Sequence, residues 1–268
     1  MNTSDRNGKK LEDLIRTLYL EDEYLKKIPS LHEIDSPWKL RKLIPFINIF
    51  LRKIEADEIN ILDVGGGAGL ILKGISSYVE RNYNKTVNKF ALDLSPEILK
   101  LQKKRNPDLK KALNEDIRET SFEDKSVDLT LMIDVLEHIP KPQRALEELK
   151  RISHYVLFKV PLANTLHYRI LNIKLKGKRR QEDIEESGHV NFYNFSGLKH
   201  QIEFYMGSVL GYSFTNTFKF MLENPNYRNK MNYMDKIINL LAILIFKISP
   251  RITSALFNDF VIVLCKTY

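Results

Sequence analysis

The 268-residue sequence has one cysteine, Cys265, which excludes an intramolecular disulfide framework and a multi-thiolate metal site and fits a reducing compartment. Glycine and proline are sparse, at 11 and 10 residues, and 43% of the chain is apolar, so it is neither collagenous, of low complexity nor disordered. No long hydrophobic run occurs. The most apolar stretch, Ile237 to Ile248, carries Asn239 and Lys247 and falls short of the roughly 20 residues that span a bilayer. The opening MNTSDRNGKKLEDL lacks the apolar centre of a signal peptide, so a cytoplasmic location is expected. Acidic residues are the minority: 42 Lys+Arg against 34 Asp+Glu leave a formal charge of +8.

What is present has a clear rhythm. KKLEDLIRTLYLEDEYLKKI and SPWKLRKLIPFINIFLRKIEA place apolar residues at helical spacing, with Ser36 and Pro37 as a helix start. From residue 59 short apolar runs alternate with helical patterns. Strands are expected at INILDV (59–64), KFALDLS (89–95), near Lys111–Asn114, at VDLTLMID (127–134) and at HYVLFKVPL, with helices at GLILKGISSYVERN, SPEILKLQKKRN and KPQRALEELKRIS between them. Near-continuous apolar strands separated by helices predict a doubly wound α/β domain with a mostly parallel sheet covered on both faces. Beyond Pro161 the alternation breaks. SGLKHQIEFYMGSVLG reads as a helix, SFTNTFKFML as a strand, 222–257 as a mostly helical apolar insertion and FNDFVIVLCK as a closing antiparallel strand. No repeat and no flexible linker divides the chain.

The strongest signal is ILDVGGGAGL, a strand that runs through Gly65, Gly66, Gly67, Ala68 and Gly69 straight into a helix. Backbone amides at such a helix start can approach a ligand closely. Consecutive glycines weaken a fold by about 0.5–1 kcal/mol each relative to alanine in a regular element, so a bare turn explains them poorly. A dinucleotide fingerprint places glycine at its first, third and sixth positions, but the sixth here is Leu70. Asp63, two residues before the first glycine, suits a cation such as an α-amine and would repel a pyrophosphate.

In the order and spacing of these motifs, with ALDLSPEIL, NEDIRETSFEDKSVDL and LMIDVLEHIP, the sequence resembles class I S-adenosylmethionine-dependent methyltransferases, in the small-molecule group that includes ubiquinone-type O-methyltransferases. The resemblance covers about residues 57–161 and extends loosely to 220. It implies a Rossmann-like fold, S-adenosylmethionine as the cofactor, and Asp63, Gly65, Gly66, Gly67 and Gly69 around the methionine part of the donor. It further implies Asp93, 24 residues after Gly69, with Leu94 at the ribose hydroxyls, and Asp116 with Ile117 at the adenine. For both acids the bland alternative is a strand-end carboxylate that caps the next turn.

DVLEH places Asp134, Glu137 and His138 just past the fourth strand, where the resemblance sets Asp134 beside the methyl group as a donor-binding and catalytic residue. In some ubiquinone-type relatives the corresponding set is associated with a divalent metal. Neighbouring carboxylate and imidazole alone do not establish a site, so the expectation is no metal, with Glu137 and His138 structural. GHV at 188–190, ahead of Phe192 and Tyr193, offers His189 as a general base, with a backbone-bonded loop histidine as its equal alternative. His32, His154, His167 and His200 fall in no constellation. The basic run Lys174, Lys176, Lys178, Arg179, Arg180 is followed at once by Glu182, Asp183, Glu185 and Glu186 and reads as a solvated mobile loop. For the apolar helix around Leu240–Phe246, core packing or self-association stands ahead of a membrane surface.

The expectation is one methyltransferase domain: N-terminal helices in 1–56, a donor-binding core in 57–161, acceptor-side caps in 162–210 and 222–257, and a last strand in 258–268. Its partner would be a small-molecule acceptor, methylated on a hydroxyl of a sugar or quinone-like ring, and not a nucleic acid. RNA or lipid methylation and a non-enzymatic donor-binding protein of the same fold are the rivals.

Overall fold

The computed structural model describes residues 33–268 together with Leu11, Glu12, Asp13, Ile15, Thr17, Leu18, Tyr19, Lys26 and Leu31. Most of the expected first helix, and His32, lie outside the described residues. The elements are α1 (Ser36–Leu51), β1 (Glu58–Val64), α2 (Leu70–Tyr83), β2 (Thr86–Leu92), α3 (Pro96–Arg105), β3 (Leu109–Leu113), β4 (Val127–Ile133), α4 (Pro142–Ile152) and β5 (Ser153–Leu162). They continue as α5 (Leu166–Lys174), α6 (Lys178–Ser187), α7 (Phe195–Tyr205), β6 (Gly207–Phe214), α8 (Thr217–Glu223), α9 (Pro225–Arg228), α10 (Tyr233–Ile248), α11 (Pro250–Leu256) and β7 (Asp259–Thr267).

The seven strands run in the order β3-β2-β1-β4-β5-β7-β6. β1 to β5 run parallel to one another, and β7 is antiparallel to both β5 and β6. Side chains alternate across the sheet and build two cores. Ile61, Leu129, Leu131 and Leu157 join Leu43, Ile47, Phe50, Leu72 and Ile75 of α1 and α2 on one face, while Leu62, Met132, Val156 and Phe158 join Leu146, Leu149, Leu198 and Ile202 of α4 and α7 on the other. Chain order reverses between β1 and β4. Val64 pairs with Leu92 on one side and Met132 on the other, so the loops after β1, β2 and β4 leave the sheet at one level.

Three expectations need correction. Only the first two residues of SFTNTFKFML, Ser213 and Phe214, are in a strand: the edge strand β6 begins in the last five residues of the expected helix SGLKHQIEFYMGSVLG, and the chain turns helical at Thr217, where Asn216 caps α8 by accepting the Lys219 N–H. The basic run is not a loop. It ends α5 and opens α6, with Gly177 in the left-handed region between them, and Arg179 pairs with Asp183 at 2.7 Å. The insertion helix α10 buries Asn239 and Ala242 and packs Phe246 against the core, whereas Leu240, Leu241 and Leu244 face solvent, so core packing accounts for only part of its apolar residues.

The turn into α8 hangs on Asp259, the first residue of β7. Its buried carboxylate accepts from the Thr215 and Thr217 hydroxyls (2.7 and 2.8 Å) and from the Asn216 and Thr217 amides (3.1 and 3.0 Å). Each hydrogen bond to a charged group is worth about 1.5–3 kcal/mol. Asp259→Ala is expected to lower unfolding stability by at least 2 kcal/mol by the same scale in urea denaturation, because four donors lose one acceptor; an unchanged midpoint would show that the turn holds without it.

Candidate active site

The loops at the switch point surround a cavity of about 490 Å³. On the β1 side, Gly65, Gly67 and Gly69 all have positive φ, which glycine adopts without strain. Gly66 is constrained by space: a Cβ there would lie 2.0 Å from the Asp63 carboxylate. The Gly69 carbonyl accepts from the Asn106 side chain at 3.1 Å, which ties the loop to the end of α3.

Asp63 is 1% exposed, and neither of its carboxylate oxygens has a hydrogen-bond partner among the described residues. Burial, helped by the charge of Asp93, raises its pKa to about 8. A buried carboxyl without a partner is a site for an incoming cation or donor. Asp93, directly after β2, accepts the Ser95 N–H at 2.9 Å, while the Ser95 hydroxyl caps α3 by accepting from Ile98 N–H. The capping role weighed for this acid is therefore real on one oxygen. Asp116 is held by Arg118, which donates from its backbone N–H and its guanidinium at 2.7–3.1 Å. Burial alone would raise the Asp116 carboxyl, but Arg118 outweighs it and holds the group below the usual carboxylate range. Leu94, Ile117, Asp93 and Asp116 all line the cavity. Glu12 of the N-terminal segment pairs with Lys141 at 2.9 Å and approaches Arg118, which lines the cavity, at 3.6 Å.

Asp134 is the first residue after β4, with φ of 58°, a left-handed conformation that costs a non-glycine residue energy. Two cations hold it there: Lys159 of β5 at 2.5 Å and Lys39 of α1 at 2.8 Å. Burial would raise its pKa, but the two ammonium groups overcome that and keep it well below the usual range. Lys159, 1% exposed, is lowered to about 8 by burial, with Asp134 acting in the opposite sense. Its Nζ sits 3.4 Å from the centroid of the Phe260 ring. Trp38 stacks on Phe220 at 4.4 Å, and Tyr227 packs on Phe220 and donates its hydroxyl to Asp35 at 2.7 and 2.8 Å. The sequence points to Asp134 here but not to Lys39, Lys159 or the aromatic residues around them. A lysine inside the apolar run HYVLFKVPL was the available signal; Trp38, Phe220 and Tyr227 carried none that separates them from core residues.

The chain from Gly188 to Asn191 is zipped onto the turn after β4. Val190 and Asn191 donate backbone N–H groups to the Glu137 carbonyl, and the Asn191 amide donates to the carbonyls of Leu136 and Ile139. This brings His189 against His138, ring centroids 4.8 Å apart, while His138 Nδ1 lies 3.1 Å from the Gly188 carbonyl oxygen. Glu137 is buried, its Oε2 lacks a partner among the described residues, and burial followed by the charge of Asp134 raises its pKa to about 8. One ligand-capable atom each of Glu137, His138 and His189 lie within 4.8 Å of one another. The grouping weighed from sequence, Asp134 with Glu137 and His138, does not form in this way: the lysines take Asp134, and His189 stands in its place.

Residues 62–154 match a family described as a methyltransferase domain. No curated protein matches the sequence. Geranyl diphosphate C-methyltransferase from Streptomyces coelicolor A3(2), in complex with Mg²⁺, geranyl diphosphate and S-adenosyl-L-homocysteine, superposes with a TM-score of 0.57 at 11% identity, covering 91% of this chain and 84% of that one. A geranyl diphosphate methyltransferase in complex with SAM gives 0.54 at 10% identity over 90% and 89%. The [4+2]-cyclase SpnF gives 0.52 at 12% identity over 83% and 80%. At such identities the likeness shows the fold alone. Together they give a Rossmann-like fold over the chain, with residues 62–154 matching a methyltransferase domain. The unpartnered Asp63 carboxyl beside a glycine loop with no room for a side chain at Gly66 fits S-adenosylmethionine, the donor that the resemblance of the motifs implies.

Asp63 has a folded pKa of about 8 against an ordinary 3.8, so between those values the folded state binds the extra proton and stability falls as pH rises. In the ligand-free protein Asp63→Asn is expected to flatten this decline and to be more stable than wild type at pH 8 by up to a few kcal/mol. Urea unfolding from pH 5 to 9 measures it, and parallel wild-type and variant curves would place the titration elsewhere.

Proposed function

We propose that this methyltransferase methylates a hydroxyl on a small acceptor with an apolar, ring-like or prenyl-type body. The observation that carries the acceptor class is the aromatic wall of Trp38, Phe220, Tyr227 and Phe260 around the Lys39–Asp134–Lys159 group. It favours the quinone-like ring over the sugar. The complex of geranyl diphosphate with the Streptomyces enzyme of the same fold supports an apolar acceptor.

Bound S-adenosylmethionine supplies a methyl group that its sulfonium makes electrophilic. In this reading Asp63 and the glycine loop hold the methionine part, Asp93 and Leu94 the ribose, and Asp116 and Ile117 the adenine. Asp134 has both carboxylate oxygens on lysines, so it acts by fixing Lys39 and Lys159 at the acceptor end. The residues left to the chemistry are His189, which takes the hydroxyl proton, and His138 and Glu137, which orient and buffer it. A second reading rests on the same trio: Glu137, His138 and His189 offer one carboxylate and two imidazoles to a divalent cation.

Two measurements follow. Asp93→Ala removes a charge-assisted acceptor worth about 1.5–3 kcal/mol, so calorimetry should show donor affinity reduced at least tenfold, and an unchanged Kd would mean the ribose is held elsewhere. For the acceptor, a panel of sugars, phenols, quinols and prenyl alcohols should show turnover confined to the apolar members. On the best of these His189→Ala should lower kcat by about 10²–10⁴ with donor Kd intact. Turnover on sugars alone would defeat the acceptor class, and loss of activity in EDTA with recovery in Mg²⁺ would select the metal reading.

A further inference from the structure

A surface helix of a globular protein buries its apolar stripe and shows its polar face to water. Helix α10 half-buries Ile238, Ile243, Ile245 and Phe246 on its inner side, with Phe246 against the core, and carries a second apolar stripe on the side that faces water. Its buried positions are Asn239 and Ala242, while Tyr233, Met234, Ile237, Leu240, Leu244 and Ile248 are 40% to 84% exposed. Spaced three and four apart, they lie on one side of the helix. Exposed apolar patches beyond a few hundred Å² mark interaction surfaces.

The charges around the stripe say what covers it. At about 100° per residue, Lys236 and Lys247, eleven positions apart, fall along the same border of the stripe. From 224 to 257 the chain carries five basic residues, Arg228, Lys230, Lys236, Lys247 and Arg251, and one acid, Asp235. That acid is engaged in the N-terminal capping box of α10, where it accepts the Asn232 N–H at 3.1 Å. The occupant must therefore offer an apolar medium and negative charge together, as an anionic lipid surface does. A second copy of the chain offers the apolar stripe with the same lysines, and twofold antiparallel pairing of two such helices sets lysine border against lysine border. No described helix is long and apolar enough to cross a membrane, so α10 would lie in the interface plane.

We infer that α10 is a membrane-docking helix that seats the enzyme on an anionic lipid surface. It packs on α8, which carries Phe220 and Met221 of the cavity wall, so docking sets the acceptor-side helix next to the bilayer. The docking face is separate from the donor site, and its test needs no substrate.

The full chain is sedimented with vesicles of phosphatidylcholine alone and of phosphatidylcholine with phosphatidylglycerol in equal parts. Binding is expected to the anionic vesicles, at least tenfold weaker to the neutral ones and weaker again in about 0.5 M salt, where screening is strong. Leu240→Glu with Leu244→Glu should abolish it while thermal midpoint and S-adenosylmethionine affinity stay at wild-type values. Lys236→Glu with Lys247→Glu, which leaves the stripe intact, should lower it at least tenfold. Wild-type protein that stays in the supernatant with anionic vesicles overturns the inference, as does binding that both variants retain. A dimer seen by light scattering, dissolved by the leucine substitutions and without vesicle binding, assigns the face to self-association instead.

Discussion

A lysine in the middle of a seven-stranded sheet has to be neutralised, and the site is arranged around how that is done. Lys159 is 1% exposed on β5, between the apolar neighbours Phe158 and Val160. A charge cannot stay there unpaired. Asp134 crosses from the next strand to meet it, accepts a left-handed backbone to do so, and draws in Lys39 from α1 on its other oxygen. One carboxylate thus joins β4, β5 and the helix that lies against the sheet. Lys39 is the neighbour of Trp38, so the same contact sets the first element of the aromatic wall.

The two ends of the cavity treat charge differently. Around Asp134 the carboxylate is over-supplied with cations and stays ionised, while Asp63, more deeply buried and with no cation acting on it, and Glu137, where burial and the charge of Asp134 outweigh Lys159 and Lys39, are pushed towards the neutral form. Both groups fall in the range where a change of surroundings on ligand binding alters their charge. The binding of a cation beside Asp63 is accordingly coupled to proton release, and no change in shape is needed to produce that coupling.

How far the sequence could be read followed the range of the interactions. The parallel core was legible because strand–helix alternation is local, and the glycine loop because positive φ and close packing leave a mark in residue type. Asp93, Asp116 and Asp134 are singled out by the resemblance of the motifs that hold them, and all three line the cavity. Local patterning fails where tertiary context decides: Gly207–Gly211 continue the apolar rhythm of the preceding helix yet open β6, and SFTNTFKFML leaves its strand after Phe214 because Asp259, some forty residues later in the chain, closes a turn there. The pairing of Asp134 with Lys39 and Lys159 joins three distant segments and has no spacing to recognise. His189 stood out as a residue, yet its meeting with Glu137 and His138 depends on the backbone bonds of Val190 and Asn191.

The position of β7 between β5 and β6 imposes an order on assembly. The donor half is made of consecutive β-α-β units whose partners lie a few dozen residues apart, whereas β5 pairs with a strand about a hundred residues downstream. Loop closure over that distance is slow. Until it is complete β6 has no partner, α8 is not turned by Asp259, and Phe260 is not beneath Lys159. A chain in which β7 has not inserted leaves an open sheet edge at β5 beside the glycine loop, and such an edge is where pairing with another chain starts.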